Sequence, residues 1–190
     1  MSFWSDKNLE PKRQYRWLLS IATAQIPHWV VKSVDKPVMT VGTPEHKFFG
    51  HTFKFPGNVT WNDINISLID PVQPDSVNLL ANLIYQGGYS PPAAVTSILT
   101  SMSKKKVTDA IGQVFIRQVD AEGAIIEEWT LWNPIVKSAD FGGALNYDQE
   151  GLIECKLTLA YDWAALKTEN AGRTTSANGI TPTLRPFYPT

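Results

Sequence analysis

Residues 153–163, IECKLTLAYDW, alternate: Ile153, Cys155, Leu157, Leu159, Tyr161 and Trp163 fall on one side, Glu154, Lys156, Thr158 and Asp162 on the other. A period of two is that of a β-strand with one dry face and one wet face. The signature recurs in residues 55–70, FPGNVTWNDINISLID. There a glycine-marked turn leads into Ile64, Ile66 and Leu68 on one side and Asp63, Asn65 and Ser67 on the other. Two such strands require a core beneath them, and they leave open what their polar sides face.

Strand spacing runs through most of the chain. Residues 13–22 set Tyr15, Trp17, Leu19 and Ile21 against Gln14, Arg16, Leu18 and Ser20. Pro27 ends that run. Two short extended pieces follow, 29–34 and 37–41, with a proline between them that suits an edge or a bend. Residues 42–57, GTPEHKFFGHTFKFPG, combine glycines, prolines and alternating phenylalanines, the pattern of a protruding hairpin. Further strands are expected at 112–119, 124–133 and 151–163, with a shorter extended segment before Gly142-Gly143. Between the opening and closing strands the period changes. Pro74 reads as a first helical residue, and Val77, Leu80, Ala81 and Ile84 share one helical face that ends at Gly87-Gly88. Pro91-Pro92 open a second candidate with Val95, Ile98, Leu99 and Met102. The expectation is a mainly β, α+β chain: an antiparallel β-sandwich or half-barrel with one helical insertion.

A length of 190 residues supports one sizeable core. The domain is read as 12–165, after an N-terminal extension of 1–11. Residues 166–190 form a C-terminal arm, rich in Thr, Asn, Gly and Pro and poor in apolar residues until Leu184. Such an arm buries too little to order itself, so it is expected to lie on a neighbour, with Phe187 and Tyr188 as anchors.

The chemistry is sparse. A formal charge of −1 argues against binding by phosphate neutralisation, and Lys104-Lys105-Lys106 reads as a solvated turn. The single cysteine, Cys155, allows no internal disulfide and no cysteine-based metal framework. The N-terminus has no apolar signal region, and no run approaches the ~18 apolar residues of a membrane span, so neither secretion nor a membrane anchor is expected. The sequons at Asn58 and Asn65 then read as coincidence. There is no nucleophile elbow, phosphate loop or dinucleotide fingerprint, and His28, His46 and His51 match no metal spacing. Glu127 and Glu128 are adjacent in a strand and point to opposite faces. Asp63 and Glu154 could share a face, but carboxylates on a wet sheet face serve solubility. No catalysis, cofactor or metal is expected. Of the seven tryptophans, Trp17, Trp61, Trp129, Trp132 and Trp163 fall in strands. Trp129 and Trp132 must lie on opposite faces, which suits a sheet packed internally on one side and partly against another chain on the other.

Three stretches in order carry a family resemblance: Thr60-Trp61-Asn62-Asp63 followed by INISLID, the turn Trp132-Asn133-Pro134, and LTLAYDW at 157–163. With the helix between them, they resemble the tail tube protein of contractile-tailed bacteriophages over roughly residues 12–165; related tubes occur in phage-like injection machines and the type VI secretion system. The resemblance implies hexameric rings, stacked head to tail into a hollow tube with a continuous β-barrel channel. DNA and ejected proteins would pass through on tail contraction without specific binding. Sheath, baseplate and neck proteins would be the partners. The virion would be its location, after synthesis in the host bacterial cytoplasm. In that setting Asp63, Asn65, Ser67, Glu154, Lys156 and Thr158 are candidates for the lumen wall. Phe48, Phe49, Phe53 and Phe55 of the hairpin are candidates for contact between rings. A tube initiator or terminator at the baseplate or neck is the nearest alternative. In a different class, a monomeric β-barrel holding a small apolar ligand would use the same alternation.

Overall fold

A computed structural model describes residues 11–24, 26–92, 101–148 and 150–168. In chain order these form β1 (Trp17–Ile21), a single 3-10 turn (His28–Val30), β2 (Val31–Val34), β3 (Met39–Val41), β4 (Glu45–Phe48), β5 (His51–Lys54), β6 (Val59–Trp61) and β7 (Ile64–Ile69). Then come α1 (Ser76–Gln86), α2 (Lys104–Ile111), β8 (Val114–Val119), β9 (Ile125–Trp132), β10 (Ile135–Asp140), β11 (Glu154–Ala160) and β12 (Trp163–Thr168).

The alternation becomes two four-stranded antiparallel sheets, ordered β1-β8-β9-β12 and β10-β11-β7-β2. Leu19, Ile21, Val114, Ile116 and Leu131 of the first face Ile64, Ile66, Leu68, Cys155, Leu157 and Leu159 of the second in one core. Leu80 and Leu83 of α1 and Val107 and Ile111 of α2 complete it. Each such side chain, fully buried, contributes about 1.5–3 kcal/mol of transfer free energy, so the sandwich rests on these alternating positions. The expected mainly β sandwich with its helical insertion between β7 and β8 is what forms.

Several local readings change. The run 153–163 is not one strand. It breaks at Tyr161-Asp162, and the chain crosses from the second sheet to the first, where Trp163 pairs with Trp132 rather than continuing the Cys155–Leu159 face. The crossing is pinned at Asp162, whose backbone N–H donates to Trp132 O (3.1 Å) and whose carboxylate accepts from Lys104 Nζ (2.6 Å) and Asn133 Nδ2 (2.8 Å). Lys104-Lys105-Lys106 is the first turn of α2 instead of a solvated turn. Ser103 caps it, accepting from Lys106 N (3.3 Å), and Val107, Ala110 and Ile111 go into the interior. In α1, Asp75 is the cap, accepting from Asn78 N at 2.8 Å, so the helix starts after Pro74 rather than on it. Its buried stripe is Ser76, Leu80 and Leu83, while Ala81 is exposed. The helix is fastened to the end of β7: Asp70 Oδ1 accepts from Ser76 N (3.1 Å) and Ser76 Oγ donates to Ile69 O (2.9 Å). The second helical candidate falls largely on 93–100, outside the described residues. Met102, at its end, is exposed and non-helical.

The 42–57 hairpin is the tip of a longer ribbon. Its root is β3 paired with β6, and its tip is β4 paired with β5. The two halves join where Gly57 N donates to Gly42 O (2.6 Å), Gly42 N to Asn58 O (2.8 Å) and Phe55 N to Pro44 O (3.0 Å). A Cβ on Gly57 would sit 2.9 Å from Gly42 O, so the crossing needs glycine. Phe49 and Gly50, both at positive φ (47° and 75°), make the two-residue turn that matches the twist of a hairpin. Counted from Met39 to Phe48, the ribbon reaches about 30 Å from the sandwich at ~3.3 Å per residue.

Candidate assembly surfaces

The register of β11 on β7 places Glu154 opposite Ile69, Lys156 opposite Ser67 and Thr158 opposite Asn65. All three β11 positions therefore share the outer face with Asp63, Asn65 and Ser67, so the six candidates for a lumen wall come together on one surface. They are tied laterally. Thr158 Oγ1 donates to Asn65 Oδ1 at 3.0 Å, and Asn65 donates in turn to Asp35 from its backbone (3.2 Å) and its side chain (2.9 Å). Asp63 pairs with Lys137 and Glu154 with Lys32. The face is thus hydroxyl, amide and two lysine–carboxylate pairs, with Lys156 exposed and in no ion pair among the described residues. Asp63 and Glu154 stand at opposite ends of β7, on the order of 20 Å apart along a six-residue strand. Each is neutralised by its own lysine, so they cannot act on one substrate. The sheet ends in two edge strands, β10 and β2.

Among the described residues no group of three or more His, Cys, Asp or Glu is placed to hold a metal ion. Cys155 is fully buried, and burial, followed by the fields of Asp70, Asp140 and Asp75, pushes its thiol up and away from the reactive thiolate. No helix among the described residues is long and apolar enough to cross a membrane.

The hairpin presents Phe48, Phe49, Phe53 and Phe55 to solvent, Phe49 at 87% exposure. Phe48 and Phe49 meet edge to face with centroids 4.8 Å apart, a compact apolar knob. Trp132 and Trp163 stack at 6.0 Å on the outer face of the first sheet, and Trp129 turns to the core as its spacing requires. Phe187 and Tyr188 lie outside the described residues.

Two features escaped the reading of the sequence. Glu127 is only 7% exposed, on the inner side of β9. Lys12 and Lys36 pair with it, and Trp129 Nε1 donates to it at 2.7 Å. Burial alone would raise its pKa, but the hydrogen bonds from Lys12, Lys36 and Trp129 override that and lower it to about 2. The cluster clasps the segment before β1 and the β2–β3 link onto the first sheet. The signal was a carboxylate standing in the apolar series Ile125, Trp129, Leu131. The second feature is an open groove of about 590 Å³ between α1 and the end of β10, lined mainly by Ala81, Ile84, Tyr85, Tyr89 and Phe141. Ala81 and Ile84, read as sharing one helical face with Val77 and Leu80, line this groove.

No family model and no curated protein matches the sequence. Solved structures do. The sheath/tube terminator structure of an extracellular contractile injection system, PVC, in its extended state, contains a chain that aligns with a TM-score of 0.62 at 17% identity, over 84% of this chain and 99% of that one. A chain of the tube-terminating cap of the anti-feeding prophage aligns at 0.61 and 17%, over 88% and 99%. One from the 6-fold symmetrised baseplate of the same particle aligns at 0.60 and 12%, over 84% and 97%. This chain shares its fold with these chains of contractile injection systems. At these identities the likeness is one of fold, and it spans nearly the full length of each matched chain. The resemblance seen in TWND, LWNP and LTLAYDW is thus accompanied by a likeness of fold to chains of contractile injection systems.

Proposed function

We propose that this chain is the structural subunit of a tail tube, assembling into hexameric rings that stack into a hollow conduit for DNA and ejected proteins. The observation that carries the proposal is the second sheet. One of its faces is the core, the other is polar with most of its charge paired, and its edge strands β2 and β10 have no further strand partner among the described residues. Edge strands present unpaired backbone groups that invite a partner, and joining β2 of one copy to β10 of the next around a ring leaves no edge. Six copies of a four-stranded sheet make a barrel of about 24 strands, with a backbone diameter of roughly 40–50 Å at ordinary strand spacing and tilt, which is hollow rather than side-chain-filled. The 6-fold symmetry of the matched baseplate supports this ring size. Asp63, Asn65, Ser67, Glu154, Lys156 and Thr158 then line the lumen. A wall whose charges are mostly paired, with Lys156 the one unpaired cation among the six candidates, lets a polyanion slide, whereas a lysine-rich wall would hold its phosphates.

The hairpin phenylalanines reach the adjoining ring, and the arm read as 166–190, whose residues 166–168 pair with β9 in β12 instead, docks beyond β12 on a neighbour through Phe187 and Tyr188, while sheath, baseplate and neck proteins contact the outside of the tube in a virion. A second reading, a tube initiator or terminator, draws support from the terminator, cap and baseplate structures among the matches. Electron microscopy of the purified chain separates the two: long tubes indicate the repeating subunit, single rings that stop indicate an end piece. A persistent 21.2 kDa monomer at high concentration would refute both. For the lumen assignment, Asn65→Lys with Ser67→Lys should leave tubes intact and slow DNA passage; unchanged passage would move this face to the outside.

A further inference from the structure

The knob on the hairpin needs a hole, and the chain carries one. We infer that the groove of Ala81, Ile84, Tyr85, Tyr89 and Phe141 receives the Phe48–Phe49 tip of a second copy, as the axial contact between successive rings. This rests on the tube reading above and names the surface that the hairpin enters.

Position supports the match. The ribbon leaves the sandwich beside Ile64, where Asn62 N donates to Val38 O, at the first end of β7. Phe141 follows Asp140 at the last residue of β10, whose partner Lys156 stands near the other end of β7, where Asp70 N donates to Ile153 O. Knob and hole thus belong to opposite ends of one sheet. A contact between two different surfaces of the same chain is heterologous and, when it does not close, propagates as a filament.

Charge supports it as well. Asp70, Asp75 and Asp140 all stand close enough to Cys155 to act on its thiol, so three carboxylates gather at the groove end of the sheet, against Lys156 opposite Asp140 and Lys106 packed on Gly88. The hairpin carries Lys47, Lys54, His46 and His51 against a single acid, Glu45, which pairs with Lys54 at 3.5 Å. Lys47 has no carboxylate partner among the described residues. A basic, aromatic tip therefore meets an apolar groove in an acidic surround, which favours the correct docking orientation. Size agrees too: about 590 Å³ lies within the ~300–1,000 Å³ of sites that enclose small ligands, enough for two benzyl groups.

The test uses full-length Thr52→Cys, an exposed position of β5 beside the tip, and Asn82→Cys, with Phe48, Phe49 and the groove aromatics left in place; Cys155 is buried and silent. The two variants are mixed at assembling concentration, treated with a short bismaleimide and run on a denaturing gel, while grids of the same sample are imaged. The expected result is a covalent dimer in the mixture that exceeds either variant alone at least tenfold, and a ladder from the double variant. Tubes without those products overturn the inference and leave the tube reading standing; rings that never stack overturn the inference and indicate an end piece in place of the repeating subunit. Two further results overturn it by giving the groove to this chain's own segments. One is Asn82→Cys blocked from maleimide in the unassembled chain. The other is crosslinking of residue 82 to a cysteine at position 187 in place of position 52. A chain that forms neither rings nor tubes refutes the underlying tube reading itself.

Discussion

Replacing Glu127 with glutamine keeps the side chain's size and its acceptor oxygen but removes the charge that Lys12 and Lys36 converge on. The carboxyl is lowered from 4.5 to about 2 in the folded chain, a difference of 4.5 − 2 = 2.5 units. At 1.36 kcal/mol per unit this is about 3.4 kcal/mol of linkage. The two lysine side chains are about half exposed (48% and 51%), so solvent screens part of the attraction, and about 2 kcal/mol is the expected loss in Glu127→Gln at pH 7. The folded pKa is depressed, so the contribution is fully present above the unfolded value of about 4.5 and fades as pH falls toward about 2. Urea unfolding of both proteins at low concentration, from pH 7 to pH 3, measures it. The gap between wild type and variant should shrink to less than half by pH 3. A gap of equal size at both pH values would show that packing around residue 127, not charge, holds the segment before β1 in place.

Three other outcomes follow from the same geometry. Asp75→Ala removes the cap of α1 and should cost about 1 kcal/mol in the same unfolding assay without changing the denaturant slope. Leu157→Ala empties a fully buried position between the sheets and should cost about 2–5 kcal/mol, detected as a lower unfolding midpoint. Deleting residues 170–190 should weaken assembly, seen by sedimentation, while leaving the unfolding midpoint of the unassembled chain unchanged; a full yield of tubes from the shortened chain would show that the arm does not dock.

The alternation read from the sequence located the two faces of β7 correctly: Ile64, Ile66 and Leu68 are all essentially inaccessible. It failed where local pattern and long-range pairing diverge. Trp163 keeps the parity of Leu157 and Leu159, yet the chain changes sheets between them. Period-two spacing is blind to which partner a strand chooses, and here the choice is set by Asp162 binding Lys104, Asn133 and the Trp132 carbonyl, groups remote in sequence. The start of α2 failed for the opposite reason. Its three lysines outweighed Ser103, Val107, Ala110 and Ile111, which together were a capped amphipathic turn.

Glu127 and the α1 groove share a lesson about assembly. A charged residue inside an apolar series, and an apolar pair on a helix whose neighbours are already buried, each break the local pattern, and each marks a place where something else must fit. For Glu127 the missing element is in the same chain and the account closes with two lysines and an indole. For Ala81, Ile84 and Phe141 the described residues supply no cover, and the hairpin's phenylalanines lack a core of their own. A chain that leaves one convex and one concave apolar surface at opposite ends of a sheet, with opposite charge around them, has the minimum equipment for unlimited head-to-tail growth. In the proposed ring, joining of the β2 and β10 edges would supply the lateral closure that growth alone cannot. The two kinds of contact are separable, so Phe48→Ala with Phe49→Ala should yield rings that do not stack. Stacking by that variant to wild-type length would place the axial contact elsewhere.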